Sequence, residues 1–251
     1  MIEAEFLRSV VGALTNLFVK KGGKIGEDRI KTWIESAKKT YDSPYPQDKE
    51  LESIISEITK HPPKLGAEIT NSMLARWFEI SPEEFKFVSA EELDPQVFFR
   101  HLYLETAFEK WLMEWGYKVE LGEELEGLEG LEYVADVSAE LKTLHGTFQI
   151  IINFICDEPP SVYRGLAILE MLEAYAPKGC SSFGTNDVFI IATPFKFGKK
   201  ITNSIRIQNK QEDYIVVKLE GDDLWDLFHA KDTLDRMGEL KERIEHAKKI
   251  D

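Results

Sequence analysis

A carboxylate and a lysine two residues apart on a strand project from one face, because side chains alternate with a period of two. Beside a second carboxylate, such a pair can hold a hard divalent cation on oxygen ligands, and the cation activates a water for attack. Asp136, Ser138, Glu140 and Lys142 share one parity in a strand-like segment, so Glu140 and Lys142 have this spacing. Asp136 and Glu140, however, are separated by ~13 Å at ~3.3 Å per residue, too far to share one ion whose ligands lie near ~2.1 Å. The polar side chains of the next apolar run, Thr147–Cys156, include Gln149 and Asn153, and an amide is a poor replacement for a charged ligand. The five histidines (His61, His101, His145, His229, His246) and two cysteines lack zinc-ligand spacing. Gly22-Gly-Lys-Ile-Gly26 lacks the strand context and terminal Lys-Ser/Thr of a phosphate loop. There is no nucleophile elbow.

Positioning these groups falls to elements that differ between the two parts of the chain. Residues 1–39 predict two helices, with Phe6, Val10, Leu14, Leu17 and Phe18 at helical spacing and a break at Lys21–Gly26. Tyr41–Pro46 predicts a loop, because Pro44 and Pro46 disfavour helix. Leu51–Thr59 predicts a helix ending near His61-Pro-Pro63. A further helix stops near Ile80, and Ser81-Pro82 with Glu84 caps the next one. Short helices meeting in this way resemble a helix-turn-helix, a pattern that any small helical domain also produces.

From Asp94 the pattern changes. Phe98–Trp115 predicts a long helix with a wide apolar stripe, closed by Gly116. Tyr133–Leu141 and Thr147–Cys156 predict strands joined by a turn at His145-Gly146. Ser161 caps a helix to about Tyr175, and Val188–Thr193 predicts a central strand buried on both faces. Ile205–Gln208 and Tyr214–Leu219 predict further strands, followed by helices at Asp222–Phe228 and Thr233–Lys249. The expected architecture is α/β (α+β), a mixed sheet flanked by helices behind a helical N-terminal domain. Its expected divisions are a helical domain at 1–94, an α/β domain at 95–232 and a charged terminal helix at 233–251.

Three segments in this order resemble the restriction-endonuclease-like superfamily, and within it the Mrr-type branch. Leu102–Val119 looks like its first helix, with Glu105 ahead of an apolar helix ending in Gly-Tyr. Tyr133-Val-Ala-Asp-Val-Ser-Ala139 is similar to the strand presenting the metal-binding aspartate. Val188–Phe195 with Ile215–Trp225 looks like the later strands and closing helix. The resemblance covers about half of the chain, residues 96–229. It implies phosphodiester hydrolysis with Mg²⁺, Asp136 as metal ligand and Glu105 as the helix glutamate. It also implies a carboxylate and a lysine on Thr147–Cys156, where Gln149/Ile151, Ile151/Asn153, Ile152/Phe154 and Asn153/Ile155 all fail to supply both. Gln149 is admissible because a variant of the family uses glutamine there. The candidate catalytic residues are therefore Glu105, Asp136, Gln149 and Asn153. Each of three has a structural alternative: Asp136 as a hydrogen-bonding group at a turn, Glu105 as an exposed helix residue, Asn153 as a buried amide needing a partner.

The 251 residues, 43% hydrophobic and 30% charged, have a globular composition. No apolar run approaches the ~20 residues of a membrane span, and the N-terminus lacks signal-peptide character. Two cysteines, Cys156 and Cys180, suit a reducing cytoplasm. Lys, Glu and Ile richness is in keeping with a thermophilic source. A net charge of −14 counts against indiscriminate nucleic-acid binding. Six glutamates lie between Val119 and Tyr133 without a basic residue. By contrast, Pro159–Gln211 has seven basic residues against three acids, an excess of +4, and so offers a basic face or a solvated mixed surface. Lys196, Lys199, Lys200 and Arg206 are the candidate nucleic-acid contacts. The expected function is that of a diverged, degenerate nuclease acting in DNA binding or as an assembly partner of a protein or a second copy. The alternatives are an active Mg²⁺-dependent deoxyribonuclease using Asp136, and a structural or interaction protein with no nucleic-acid role.

Overall fold

The computed structural model describes residues 4–23, 26–41, 48–60, 69–126, 132–144, 146–175, 187–211 and 214–249. The Pro44–Pro46 loop, the His61–Pro63 helix end, His145 and Cys180 lie outside the described residues. The chain forms two compact units, Met1–Ala107 and Phe108–Asp251. No described helix is long and apolar enough to cross a membrane.

The first unit is helical: α1 Ala4–Lys20, α2 Glu27–Tyr41, α3 Asp48–Lys60, α4 Asn71–Trp77, α5 Pro82–Phe85 and the start of α6 Pro95–Glu114. Leu7, Val10, Val11 and Leu14 of α1, Ile30 and Ile34 of α2, and Ile54 and Ile55 of α3 are buried, as their helical spacing requires. Thr70 caps α4 by accepting from the Met73 N–H, and Ser81 caps α5 by accepting from the Glu84 N–H. Phe98 packs against Trp77, Phe78 and Phe99, with ring centroids 4.9–5.5 Å apart. Lys21 Nζ donates to the Phe85 and Val88 carbonyls and lies over the Phe85 ring, joining the end of α1 to α5.

The second unit is built on a five-stranded sheet of order β1-β2-β3-β4-β5: β1 Lys118–Glu126, β2 Glu132–Thr143, β3 Gly146–Phe154, β4 Val188–Ala192 and β5 Ile215–Leu219. β1, β2 and β3 are antiparallel, whereas β3, β4 and β5 run parallel. The parallel connections pass through α7 Val162–Tyr175 and α8 Lys199–Gln211. Parallel neighbours need such crossovers, and here α7 and α8 cover one face of the sheet; all five residues of the apolar β4 are buried. Ile168, Leu169 and Leu172 of α7 and Ile201 and Ile205 of α8 pack with Ile151, Phe189, Ile191 and Val216 of the sheet. On β3, Phe154 meets Phe108 of α6, and Trp111 meets Phe228 of α9 Gly221–His229. The last helix, α10 Thr233–Lys248, is tied to α9 by Arg243, which binds Asp223 and Asp226 at 2.8 Å each. This is the expected mixed sheet flanked by helices, preceded along the chain by a helical N-terminal region.

Two local features depend on backbone chemistry. Gly116 ends α6 at φ +87, and the Tyr117 N–H reaches back to the Leu112 carbonyl at 3.0 Å, a left-handed cap that glycine adopts without strain. The segment Ile205–Gln208, expected as a strand, is helix within α8. Its Ile-Arg-Ile-Gln sequence alternates over four residues, but Ile201, Ile205 and Gln208 are the buried positions and recur at helical spacing. The longer period prevails because it buries one continuous stripe against α7 and the sheet.

Candidate functional site

The carboxyl ends of β3, β4 and β5 meet the amino ends of α7 and α8 at one edge of the sheet. In open α/β sheets this edge is where ligands bind, because loops and helix N-termini converge there. The start of β2 reaches the same edge, since β2 runs antiparallel to β3. Asp136, Asn153, Lys196, Lys199 and Lys200 all belong to this region.

The β2–β3 ladder runs from Thr143 opposite Gly146 to Val137 opposite Ile152. One step further along, side chains link the strands. Asp136 Oδ2 accepts the Phe154 N–H at 2.8 Å, and Asn153 Nδ2 donates to the Val134 carbonyl at 3.4 Å. Asp136 is 2% exposed and Asn153 6%. Both side chains satisfy backbone groups at the end of the ladder, where an unpaired buried N–H or C=O is costly. Gln149 sits near the middle of β3, four residues before Asn153 and across from Glu140, and its N–H donates to the buried Asp187 carboxylate at 3.2 Å. Asn153 therefore lies next to Asp136, whereas Gln149 does not. Glu140 and Lys142 pair with each other at 2.8 Å on the exposed part of β2.

Mg²⁺ requires several oxygen donors at about 2.0–2.1 Å in octahedral array. Beside Asp136, β3 provides Ile151, without a donor atom, and Asn153, whose amide nitrogen is turned to a carbonyl. The carboxylate of Asp136 itself receives a backbone N–H. This set does not fit the ion.

Glu105 is not the exposed helix residue that one reading of the sequence allows. It is 1% exposed in the first unit. Arg76 Nη2 donates to both of its oxygens, at 2.8 and 2.9 Å, and Trp77 Nε1 donates at 3.1 Å. His101, one turn earlier on α6, lies between two carboxylates: Nδ1 is 3.3 Å from Glu79 and Nε2 is 3.7 Å from Glu105. Glu79 sits in the left-handed region at φ 59 directly after α4. A carboxylate clasped by a guanidinium is already charge-balanced, which disfavours a metal cation on the same oxygens. The i,i+4 spacing of His101 and Glu105 was visible in the sequence, but Arg76 and Trp77 lie 29 and 28 residues away from Glu105.

The basic residues occupy a different setting. Glu220 fixes the loop before α8: its Oε1 accepts the Phe197 N–H and its Oε2 accepts Lys218 Nζ, at 2.8 and 2.7 Å. Gly221 donates its N–H to the Phe195 carbonyl at 3.0 Å, and a Cβ there would stand 2.6 Å from the Pro194 carbonyl oxygen. From this anchored loop, α8 presents Lys199, Asn203, Arg206 and Lys210 on one exposed stripe, at spacings of four, three and four residues. Lys200 is exposed on its flank, and Lys196 pairs with Asp222 at 3.4 Å on the open surface. Such an exposed pair contributes little and is readily exchanged.

No family model and no curated protein matches the chain. Among solved structures it is similar to the MspJI restriction endonuclease in complex with a 27-mer oligonucleotide, at 13% identity and a TM-score of 0.29, over 60% of this chain and 29% of that one. A likeness of that size carries no argument about function.

Proposed function

We propose that the chain is a diverged restriction-endonuclease-like protein of the Mrr-type branch that binds nucleic acid through α8 and does not hydrolyse it. The observation that carries this reading is the composition of α8. Its thirteen residues contain Lys199, Lys200, Arg206 and Lys210 and no acid, on a protein of net charge −14. From Lys199 to Lys210 the helix advances about 16 Å, a length over which duplex DNA carries roughly ten phosphate charges. Phosphate contacts from such a stripe are sequence-independent and salt-sensitive.

The donor set beside Asp136 supports binding without hydrolysis. Asp136 is committed to a backbone N–H, and Ile151 and Asn153 stand beside it. Incubating the protein with plasmid and linear DNA in Mg²⁺ or Mn²⁺ tests this half, with Asp136→Ala as control. The expected result is intact DNA that is nevertheless bound. Cleavage that disappears in the Asp136 variant would overturn the non-hydrolytic reading.

A further inference from the structure

The amino ends of α7 and α8 lie side by side. Gly165 of α7 approaches Ile201 of α8 so closely that a Cβ on it would stand 2.7 Å from Ile201 Cδ1. At the entrance to both helices, a Cβ on Gly198 would stand 4.0 Å from Val162 Cγ2. Both helices turn their buried residues to the same sheet face, Ile168, Leu169 and Leu172 from one and Ile201 and Ile205 from the other. Their outward positions therefore form one continuous surface. On that surface Tyr163, in the first turn of α7, is 86% exposed. On α8, Lys199 and Lys200 are both exposed in the first turn. The exposed acids on α7, Glu170 and Glu173, are seven and ten residues further along, about 10 Å and about 15 Å toward the far end.

An aromatic ring that is almost wholly in water contributes nothing to the core, and burying it against a partner recovers apolar area. Beside ammonium groups it combines the two elements that retain a single strand: a π-face on which a base stacks and positive charge that follows the backbone. A duplex, with its bases stacked internally, offers a ring at this position far less. We infer that the nucleic acid bound along α8 is single-stranded, or frayed at an end, and that Tyr163 stacks on one of its bases. This rests on the proposed α8 reading and specifies the ligand class for it.

The test is fluorescence anisotropy with a labelled 16-nucleotide single strand and the duplex of the same sequence, using the full chain. Tyr163→Ala is expected to weaken single-strand binding about 5- to 140-fold, the range that loss of one base–aromatic stack produces. Duplex binding should change less than about twofold, and Tyr163→Phe should keep most of the single-strand affinity. Because Tyr163 is exposed, both variants should retain the wild-type circular dichroism spectrum and urea midpoint. Tyr163→Ala binding both ligands like wild type, or losing both equally, would overturn this inference while leaving the α8 reading in place. If the wild-type protein binds neither ligand in a salt-dependent manner, both fall.

Discussion

Replacing Glu105 with alanine would leave the Arg76 guanidinium without the carboxylate that receives two of its hydrogen bonds, and the Trp77 indole N–H without its acceptor. The Arg76 side chain is 13% exposed and that of Glu105 1%, so solvent can replace little of what is lost. Removing one partner of a buried ion pair costs about 3–5 kcal/mol. For a chain of this size, that corresponds to a drop in Tm of roughly 6–20 °C. Urea titration followed by tryptophan fluorescence measures it directly, and Trp77 lies inside the network. Glu105→Gln retains an acceptor for the indole and should cost less than the alanine variant. The double variant Arg76→Met/Glu105→Leu removes both charges and should recover at least half of the loss, since well-packed apolar pairs often replace buried ion pairs without penalty. If Glu105→Ala unfolds within about 0.5 kcal/mol of wild type, the structural assignment of Glu105 is wrong. The same holds if it retains full stability while altering an action on DNA.

Other consequences can be checked in the same way. Asp136→Ala should cost about 1–3 kcal/mol by stranding the buried Phe154 N–H, whereas Asp136→Asn keeps an acceptor and should cost less; equal losses in urea titration would contradict the hydrogen-bonding role. Gly165→Ala should cost about 1–3 kcal/mol by forcing Ile201 aside, and Ile201→Val should relieve it. Unchanged stability in the single variant would mean that α7 and α8 are not so closely packed. Burial raises the pKa of Glu109. With the folded value above the unfolded one, the native state holds more protons, so stability from this group is lost as pH rises through the folded pKa and is present below the unfolded pKa. Glu109→Gln should therefore raise the urea midpoint at pH 7 and lose that advantage near pH 4; an advantage independent of pH would refute the sign.

Much of the helical region and the sheet was legible because burial imposes its own period. The α1 stripe, the Ser81 cap and the all-apolar β4 each carry a local signal that a single stretch of sequence discloses. The Ile205–Gln208 error shows the limit: four residues satisfy an alternating pattern, and only the spacing of Ile201, Ile205 and Gln208 over eight residues reveals the helix. Glu105 lies at the edge of an apolar stripe and looked solvent-facing, because its partners Arg76 and Trp77 lie on another helix. The role of Asp187 has no local signal for a related reason: its bond to the Gln149 N–H depends on parallel pairing between β3 and β4, which no local pattern encodes. The placement of Asp136 within a strand was legible. Its use as an acceptor for the neighbouring strand's backbone required the register.

The most direct test of nucleic-acid binding through α8 is the dependence of single-strand affinity on salt. Wild-type protein should show log K falling linearly with log salt concentration, and Lys199→Gln/Lys200→Gln/Arg206→Gln/Lys210→Gln should flatten that slope by about 3, close to 0.7 per neutralised phosphate contact. A slope of the same steepness in the quadruple variant, with its urea midpoint preserved, would place the binding elsewhere and contradict the account.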